Sequence, residues 1–266
     1  MLFKVPGIVQ QDSRNDTNPF YDAIADHYHL FYRDWRAALE RDGSALRRMF
    51  RNRDIRTVLD ASCGPGTQAI ALAMHQFEVT AADPSRRMIQ KARENAREFE
   101  VADDITFVQA GFLELSRVLN GPYDAVITKG NSLPHLLSDE EILCALQNFF
   151  ALLRPGGLLV IGIRDFDMLL EDRPRFVPRQ AHLDDPERDH ILFDVWDWHE
   201  GPPVTVTFNT FLVSGKGDEY AAVRYPVTYR ALRRAELCAM LARIGFIDIQ
   251  VEDQNWELVF SAIKPG

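Results

Sequence analysis

An open, doubly wound α/β sheet carrying a small antiparallel insertion is the fold that this 266-residue sequence predicts. Three observations carry that expectation. Short apolar runs at 57–61, 77–82, 105–109, 123–128 and 158–163 alternate with helical patterns. Continuous apolar strands joined by helices belong in a parallel sheet covered on both faces. The first run ends in a glycine turn that opens a helix, Gly64-Pro65-Gly66-Thr67. Beyond residue 163 the alternation stops, and strand-like segments follow one another across turn residues.

Residues 1 to about 18 are polar and turn-rich and read as a mobile leader. Apolar residues then recur at helical spacing (Phe20, Ile24, Tyr28, Phe31, Trp35, Leu39), a stripe expected to break near Gly43 and resume. Helices are expected at 67–75, at 85–98, and at 139–153 behind Ser138 as N-cap. Arg154-Pro155-Gly156-Gly157 ends the last of these and leads into the fifth strand. Residues 165–200 hold eleven acids, four arginines and no helical period. Strands at 192–198, 204–213 and 220–228 flank turns at 201–203 and 215–217; Trp196 and Trp198 should share one face of their sheet. The eleven acids read as a solvated face or, more sharply, as a pocket wall favouring cationic amines. A helix at 229–244, stopped by Gly245, precedes final strands at 246–251 and 256–263. The expected organisation is a leader and helical cap (1–53), a seven-stranded core with its last strand antiparallel (54–164 and 229–266), and a β-rich lid (165–228).

Composition narrows the function. With 30 Lys+Arg against 39 Asp+Glu the net charge is −9, which argues against nucleic acid as a partner. Three widely spaced cysteines form neither a disulfide framework nor a metal knuckle, so no metal is expected and a reducing compartment is. The N-terminus lacks a signal-peptide pattern and no run approaches membrane-span length, so a cytoplasmic protein without a membrane partner is expected. A homo-oligomer is left open.

The glycine turn carries the sharpest information. Asp60 ends the strand before it, at the sheet's carboxyl edge. A carboxylate there repels a pyrophosphate and welcomes a cation. Asp83 ends the next strand, where an acid can accept from both hydroxyls of a ribose. A ligand with a ribose, a positive charge and no phosphate matches S-adenosylmethionine. Ala69 fills the last position of a dinucleotide fingerprint, so spacing alone does not exclude a nicotinamide enzyme; Asp60 argues against one. Taken together, Asp60-x-x-x-Gly64-x-Gly66, Asp83 and 154–158 (RPGGL) resemble the class I S-adenosylmethionine-dependent methyltransferases, which implies a Rossmann-like fold and that cofactor. The expected cofactor-binding set is Tyr21, Tyr28, Asp60, Ser62, Gly64, Gly66, Asp83, Met88, Gly111, Phe112, Lys129 and His135. Tyr21 and Tyr28 read either as a cap over the cofactor or as packing residues. Many relatives carry an acid after the third strand for the adenine amino group; here Gly111 stands there, leaving backbone groups and Phe112. Cys63 in the turn reads as a small filler.

Methyl transfer is an in-line displacement that demands alignment and exclusion of water more than a nucleophile or metal. After the fourth strand the chain reads Lys129-Gly130-Asn131-Ser132-Leu133-Pro134-His135, and Arg164 follows the fifth. This pattern resembles the glycine N-methyltransferases and glycine/sarcosine methyltransferases. That resemblance implies that Arg164 clamps an amino acid carboxylate, with Asn131 beside it, and Tyr225 falls in a Tyr-Pro strand also similar to theirs. The candidate catalytic set, acting by positioning, is Asn131, His135 and Arg164; the substrate set is Asn131, Arg164 and Tyr225. His135 reads as a base or as a hydrogen-bonded structural residue. Arg164 reads as a fork aimed into the pocket or as a surface partner of Asp165 or Asp167. The expected activity is N-methylation of a small, carboxylate-bearing amine. The alternatives are a small-molecule O- or C-methyltransferase of a natural-product pathway and a non-catalytic S-adenosylmethionine-binding module.

Overall fold

The computed structural model describes residues 18–254 and 256–266, so the expected leader, apart from Asn18, lies outside the described residues. In chain order, α1 (Asn18–Ile24), a 3₁₀ segment (Ala25–Phe31) and α2 (Trp35–Phe50) precede β1 (Thr57–Asp60) and α3 (Thr67–Ala73). Next come β2 (Glu78–Asp83), α4 (Arg86–Glu98), β3 (Ile105–Gln109), α5 (Leu115–Val118), β4 (Tyr123–Thr128), α6 (Asp139–Leu152) and β5 (Leu153–Arg164). Then follow α7 (Phe166–Asp172), β6 (Phe176–His182), β7 (Asp189–His199), β8 (Thr205–Lys216) and β9 (Glu219–Arg230). The chain closes with α8 (Arg234–Ile244), β10 (Ile247–Gln254) and β11 (Glu257–Ile263).

Seven strands lie in the order β10-β11-β5-β4-β1-β2-β3, with β11 antiparallel to both of its neighbours. Alternation along each strand divides the core in two. Val58, Ala125, Ile127 and Val160 face α2, α3 and α4, whereas Leu59, Val126, Leu159 and Ile161 face α6 and α8. Ser138 caps α6 in a reciprocal capping box with Glu141. At the amino edge, away from the site, Asp124 accepts from the backbone of Arg56 and Thr57 and from Arg154 Nε at 2.5 Å. These bonds hold the Asp124 carboxyl down to about 2 against the opposing effect of its burial, and they join β1, β4 and β5.

The second sheet, β6-β7-β8-β9, is antiparallel throughout. Its inward face carries Trp196, fully buried and stacked on Phe208 at 3.9 Å between ring centroids. Trp198 shares that face, as the alternation predicts, and donates to Pro174 O. The chain leaves the large sheet after β5 and returns at α8 in one place: Asp167 accepts from Arg233 Nε at 2.6 Å and from Arg234 N at 3.0 Å.

Three expectations are corrected. Gly43 does not break the stripe; it sits inside α2, where a Cβ would press on Ala71 Cβ at 3.0 Å, and the break falls at residues 32–34. The acid-rich stretch contains α7, capped by Asp165, and β6, neither of which has a legible period in the sequence. The segment starting at Tyr229 is not yet helix: β9 runs on to Arg230 and α8 starts at Arg234.

Candidate active site

Two adjoining cavities open at the carboxyl edge of the large sheet, where open α/β sheets place their ligands. The first, of about 230 Å³, is framed by the β1–α3 turn, the end of β2, the loop after β3 and the loop after β4. Ser62, Gly64, Asp83, Gly111, Phe112, Lys129 and His135 all line it, and Tyr21 and Tyr28 from the N-terminal segment cover it.

The turn between β1 and α3 is tight because Gly66 N donates to Cys63 O at 2.8 Å while Gly64 and Gly66 take φ of +51° and +96°. A Cβ at Gly64 would meet nothing within 4 Å, so that glycine leaves space on the cavity side. Gly66 does not line the cavity; a Cβ there would strike Ile70 at 2.9 Å, so its role is helix packing. Asp83 accepts from Gly64 N at 3.0 Å and from Ser85 N at 2.9 Å. Burial nevertheless pushes its carboxyl up to about 6. Asp60 lies beneath the turn rather than in the cavity wall. It is buried, its Oδ2 takes no hydrogen bond among the described residues, and burial pushes it up to about 7. Cys63 is buried and its thiol is held well above its ordinary value by desolvation, which suits a filler. Met88 is corrected: it is a core residue under Phe20 and Ile24 and lines neither cavity.

The N-terminal segment docks through Ser85, whose Oγ donates to Asp22 at 2.5 Å, and through Arg87, which reaches Asp26 at 2.7 Å. Docking brings the Tyr21 hydroxyl to 2.7 Å from His135 Nε2, and His135 packs on the Tyr229 ring at 4.4 Å. Burial lowers the His135 ring to about 3, so it is neutral throughout the physiological range. Tyr21 and Tyr28 are raised well above 10 by burial and stay protonated.

The second cavity, about 1330 Å³, shares Tyr21, Tyr28, Lys129 and Gly130 with the first and runs out beneath the second sheet and along α2. Asn131 and Arg164 meet here. Asn131, in the left-handed region at φ +66°, turns its Oδ1 to Arg164 N at 3.0 Å. Its buried Nδ2 has no partner among the described residues. The Arg164 guanidinium lies 5.3–5.8 Å from the ring centres of Trp256, Phe208 and Trp196. It makes no ion pair among the described residues. Asp165 instead caps α7 and Asp167 binds Arg233. Burial, with Arg179 nearby, lowers Arg164 to about 10, still fully cationic at neutral pH.

Two further expectations fail here. Tyr225 lines neither cavity and packs edge-on against Phe20, 6.5 Å between centroids; Tyr229, two pleats along the same strand, takes the wall position. No member of the acid-rich run faces the cavity. Its one buried member, Asp194, binds Arg179 at 2.6 Å and accepts from Trp196 Nε1 and Thr210 Oγ1. Sequence reasoning also passed over Arg179, Tyr229 and Glu257, which reach the site only through long-range pairing.

The first cavity fits a ribose-bearing cation. Two buried carboxylates, Asp60 and Asp83, make no ion pair among the described residues, and Gly64 and Gly130 leave open space where side chains would intrude. The fold is the Rossmann-like fold of the class I S-adenosylmethionine-dependent methyltransferases, and S-adenosylmethionine is the cofactor that the first cavity matches. Residues 58–157 match a methyltransferase domain family. The chain is 36% identical over 138 residues to a glycine/sarcosine N-methyltransferase of Parasynechococcus marenigrum (strain WH8102), covering 52% of this chain and 48% of that one. To the glycine N-methyltransferase of Mus musculus it is 35% identical over 152 residues, covering 54% and 52%. The chain thus spans about half the length of these curated relatives. Its fold is similar to that of the S-adenosylmethionine-bound amino pentose methyltransferase CalS10 of Micromonospora echinaspora, with TM-score 0.72, 16% identity, and coverage of 91% of this chain and 96% of that one. Among the described residues no helix is long and apolar enough to cross a membrane.

Proposed function

We propose that this chain methylates the nitrogen of a small, carboxylate-bearing amine, an amino acid or a close analogue. The observation that carries the reading is Arg164: a desolvated guanidinium with no ion pair among the described residues, facing a cavity that adjoins the cofactor's. A buried charge left unpaired by the protein is costly unless a ligand completes it. A carboxylate does so with two aligned, charge-assisted bonds, which fix the attached amine in orientation. The free Nδ2 of Asn131 adds a neutral donor beside it. The glycine and glycine/sarcosine methyltransferases named above support the same substrate class.

When bound, the cofactor supplies an electrophilic methyl on its sulfonium sulfur. The residues that would hold it are Asp83 at the ribose hydroxyls, the Gly64 turn at close backbone approach, Phe112 and the backbone of Gly111 at the adenine, and Asp60 beneath as a countercharge. Tyr21 and Tyr28 close the cavity and exclude water. His135, neutral with a value near 3, is a weak proton acceptor, and its bonding to Tyr21 marks it as a positioning residue. The amine therefore enters already neutral, the minor form of an amino acid at pH 7 because its ammonium is more basic than a chain-terminal α-amino group.

The test is transfer of labelled methyl from S-adenosylmethionine to a panel of amino acids, their decarboxylated analogues, and phenols. Label on acids and not on their decarboxylated analogues is expected. A preferred acceptor without an acid group would leave a broader O- or C-methyltransferase, and cofactor binding without turnover on any acceptor would leave a binding module.

A further inference from the structure

Lys129 and Gly130 form part of the wall that the two cavities share. Beside them in the wall of the second cavity stands Glu257, the first residue of β11, whose register partner on β5 is Arg164. The side chains of Lys129 and Glu257 are only 9% and 5% exposed, and Lys129 Nζ lies 2.7 Å from Glu257 Oε2. The second carboxylate oxygen does a separate job, accepting from Gly130 N at 2.8 Å. Gly130 and Asn131 follow each other in the left-handed region, at φ +74° and +66°. Asn131 N then donates to Gly162 O at 3.1 Å, and Asn131 Oδ1 receives Arg164 N. Gly162 is bare because a Cβ there would overlap the Glu257 carboxylate. Lys129, Gly130, Asn131, Gly162 and Arg164 are thus tied to one buried carboxylate.

The ion pair matters electrically as well as sterically. A buried lysine in a cavity wall projects its charge through a poorly screening medium. S-adenosylmethionine carries a sulfonium, and its demethylated product S-adenosylhomocysteine lacks that charge. An unbalanced cation in the wall would therefore penalise the donor and spare the product, the reverse of what turnover needs. We propose that Glu257 is a positioning residue that holds the 129–131 turn through one carboxylate oxygen and cancels the charge of Lys129 toward the cationic cofactor through the other. The inference rests on the cofactor and the cavities, not on the identity of the acceptor.

The two roles separate by substitution. Glu257→Gln keeps an oxygen for Gly130 N and removes the negative charge. Calorimetric titration of the purified chain should show S-adenosylmethionine weakened at least tenfold relative to S-adenosylhomocysteine in this variant. Adding Lys129→Met to Glu257→Gln removes the stranded cation and should return the ratio of the two affinities to the wild-type value. An equal loss for both compounds, or an unchanged ratio, would overturn the proposal, since a merely structural role weakens both alike. Should Glu257→Gln fail to fold, Lys129→Met alone, titrated at pH 8, must move the ratio the other way, toward S-adenosylmethionine; no movement overturns the proposal equally. If neither compound binds the wild-type chain, the cofactor assignment itself has failed, an outcome distinct from either result.

Discussion

The two cavities share a wall and are built on opposite electrostatic plans. The first cavity lies against carboxylates: Asp83 in its wall and Asp60 beneath it are buried, make no ion pair among the described residues, and are raised to about 6 and about 7. In the second cavity the desolvated group without an ion pair among the described residues is a guanidinium, Arg164, while Arg179 and Lys129 are balanced by Asp194 and Glu257. One pocket is left hungry for a cation and its neighbour for an anion. A methyl donor that is cationic and an acceptor that is a carboxylate each find the complementary side, and exchanging them would place like charges together. The frame of the first cavity is made by consecutive turns at strand ends and is closed from afar by the Tyr21–His135 bond, whereas the second draws its wall from β5, β6, β8, β9 and β11, as the Gly130–Glu257 bond illustrates.

Four experiments can break or sharpen this contrast. The largest effect should come from Trp196→Ala, which removes a fully buried ring stacked on Phe208 beside Arg164. Denaturant unfolding should show a loss of about 3–5 kcal/mol, while S-adenosylhomocysteine still binds the folded fraction. Asp83→Ala strikes the other side: calorimetry should show cofactor affinity falling by about 1.5–3 kcal/mol, the scale of hydrogen bonds to a charged group. Arg164→Lys should keep that affinity and lose at least about 1.4 kcal/mol in kcat/KM, tenfold, in steady-state assays. Decarboxylated acceptors should lose comparably with the wild type and little more with the variant.

The smallest effect is a pH dependence. Asp60 and Asp83 have folded-state values raised above their unfolded ones, so their protonated forms stabilise the free protein. That contribution is complete below about pH 4 and lost as pH rises through about 6 and then about 7. Holding the ribose needs the ionised form of Asp83, so affinity should rise about twofold from pH 6 to pH 8 as free-protein stability falls. Thermal scans with and without S-adenosylhomocysteine read both trends, and a cofactor shift in Tm that shrinks with rising pH would contradict the charge assignment.

The cofactor half was legible in the sequence because its signals are local. A strand, a Gly-x-Gly turn, a helix start and an acid at the next strand end occupy fewer than thirty residues, and backbone geometry follows from them directly. Asp83, Gly64, Ser62 and Phe112 line the first cavity, and Asp60 lies one layer deeper. The acceptor half was partly hidden. Arg164 and Asn131 sit at strand ends, but Tyr225 is singled out by its similarity to a Tyr-Pro strand, whereas Tyr229 falls where the sequence predicts the start of a helix. Met88 has the right neighbours in sequence and the wrong direction in space; it points beneath α1 into the core. The β6 strand was obscured by Pro178 and flanking charges, and Glu257 has no sequence neighbour that announces it, since its partners lie on β4 and β5.

The clasp of Asp167 with Arg233 and Arg234 has a consequence for how such a molecule can change over generations. Everything between those residues departs from and rejoins the large sheet at one doorway, so its length and sequence can drift without moving the ends that the sheet must hold. Arg164 stands just outside that doorway and the methyl-donor pocket lies further back in the same frame. The segment can therefore be exchanged as one cassette while the sheet and Arg164 stay in place, and the same doorway is where a laboratory graft should be cut and sewn.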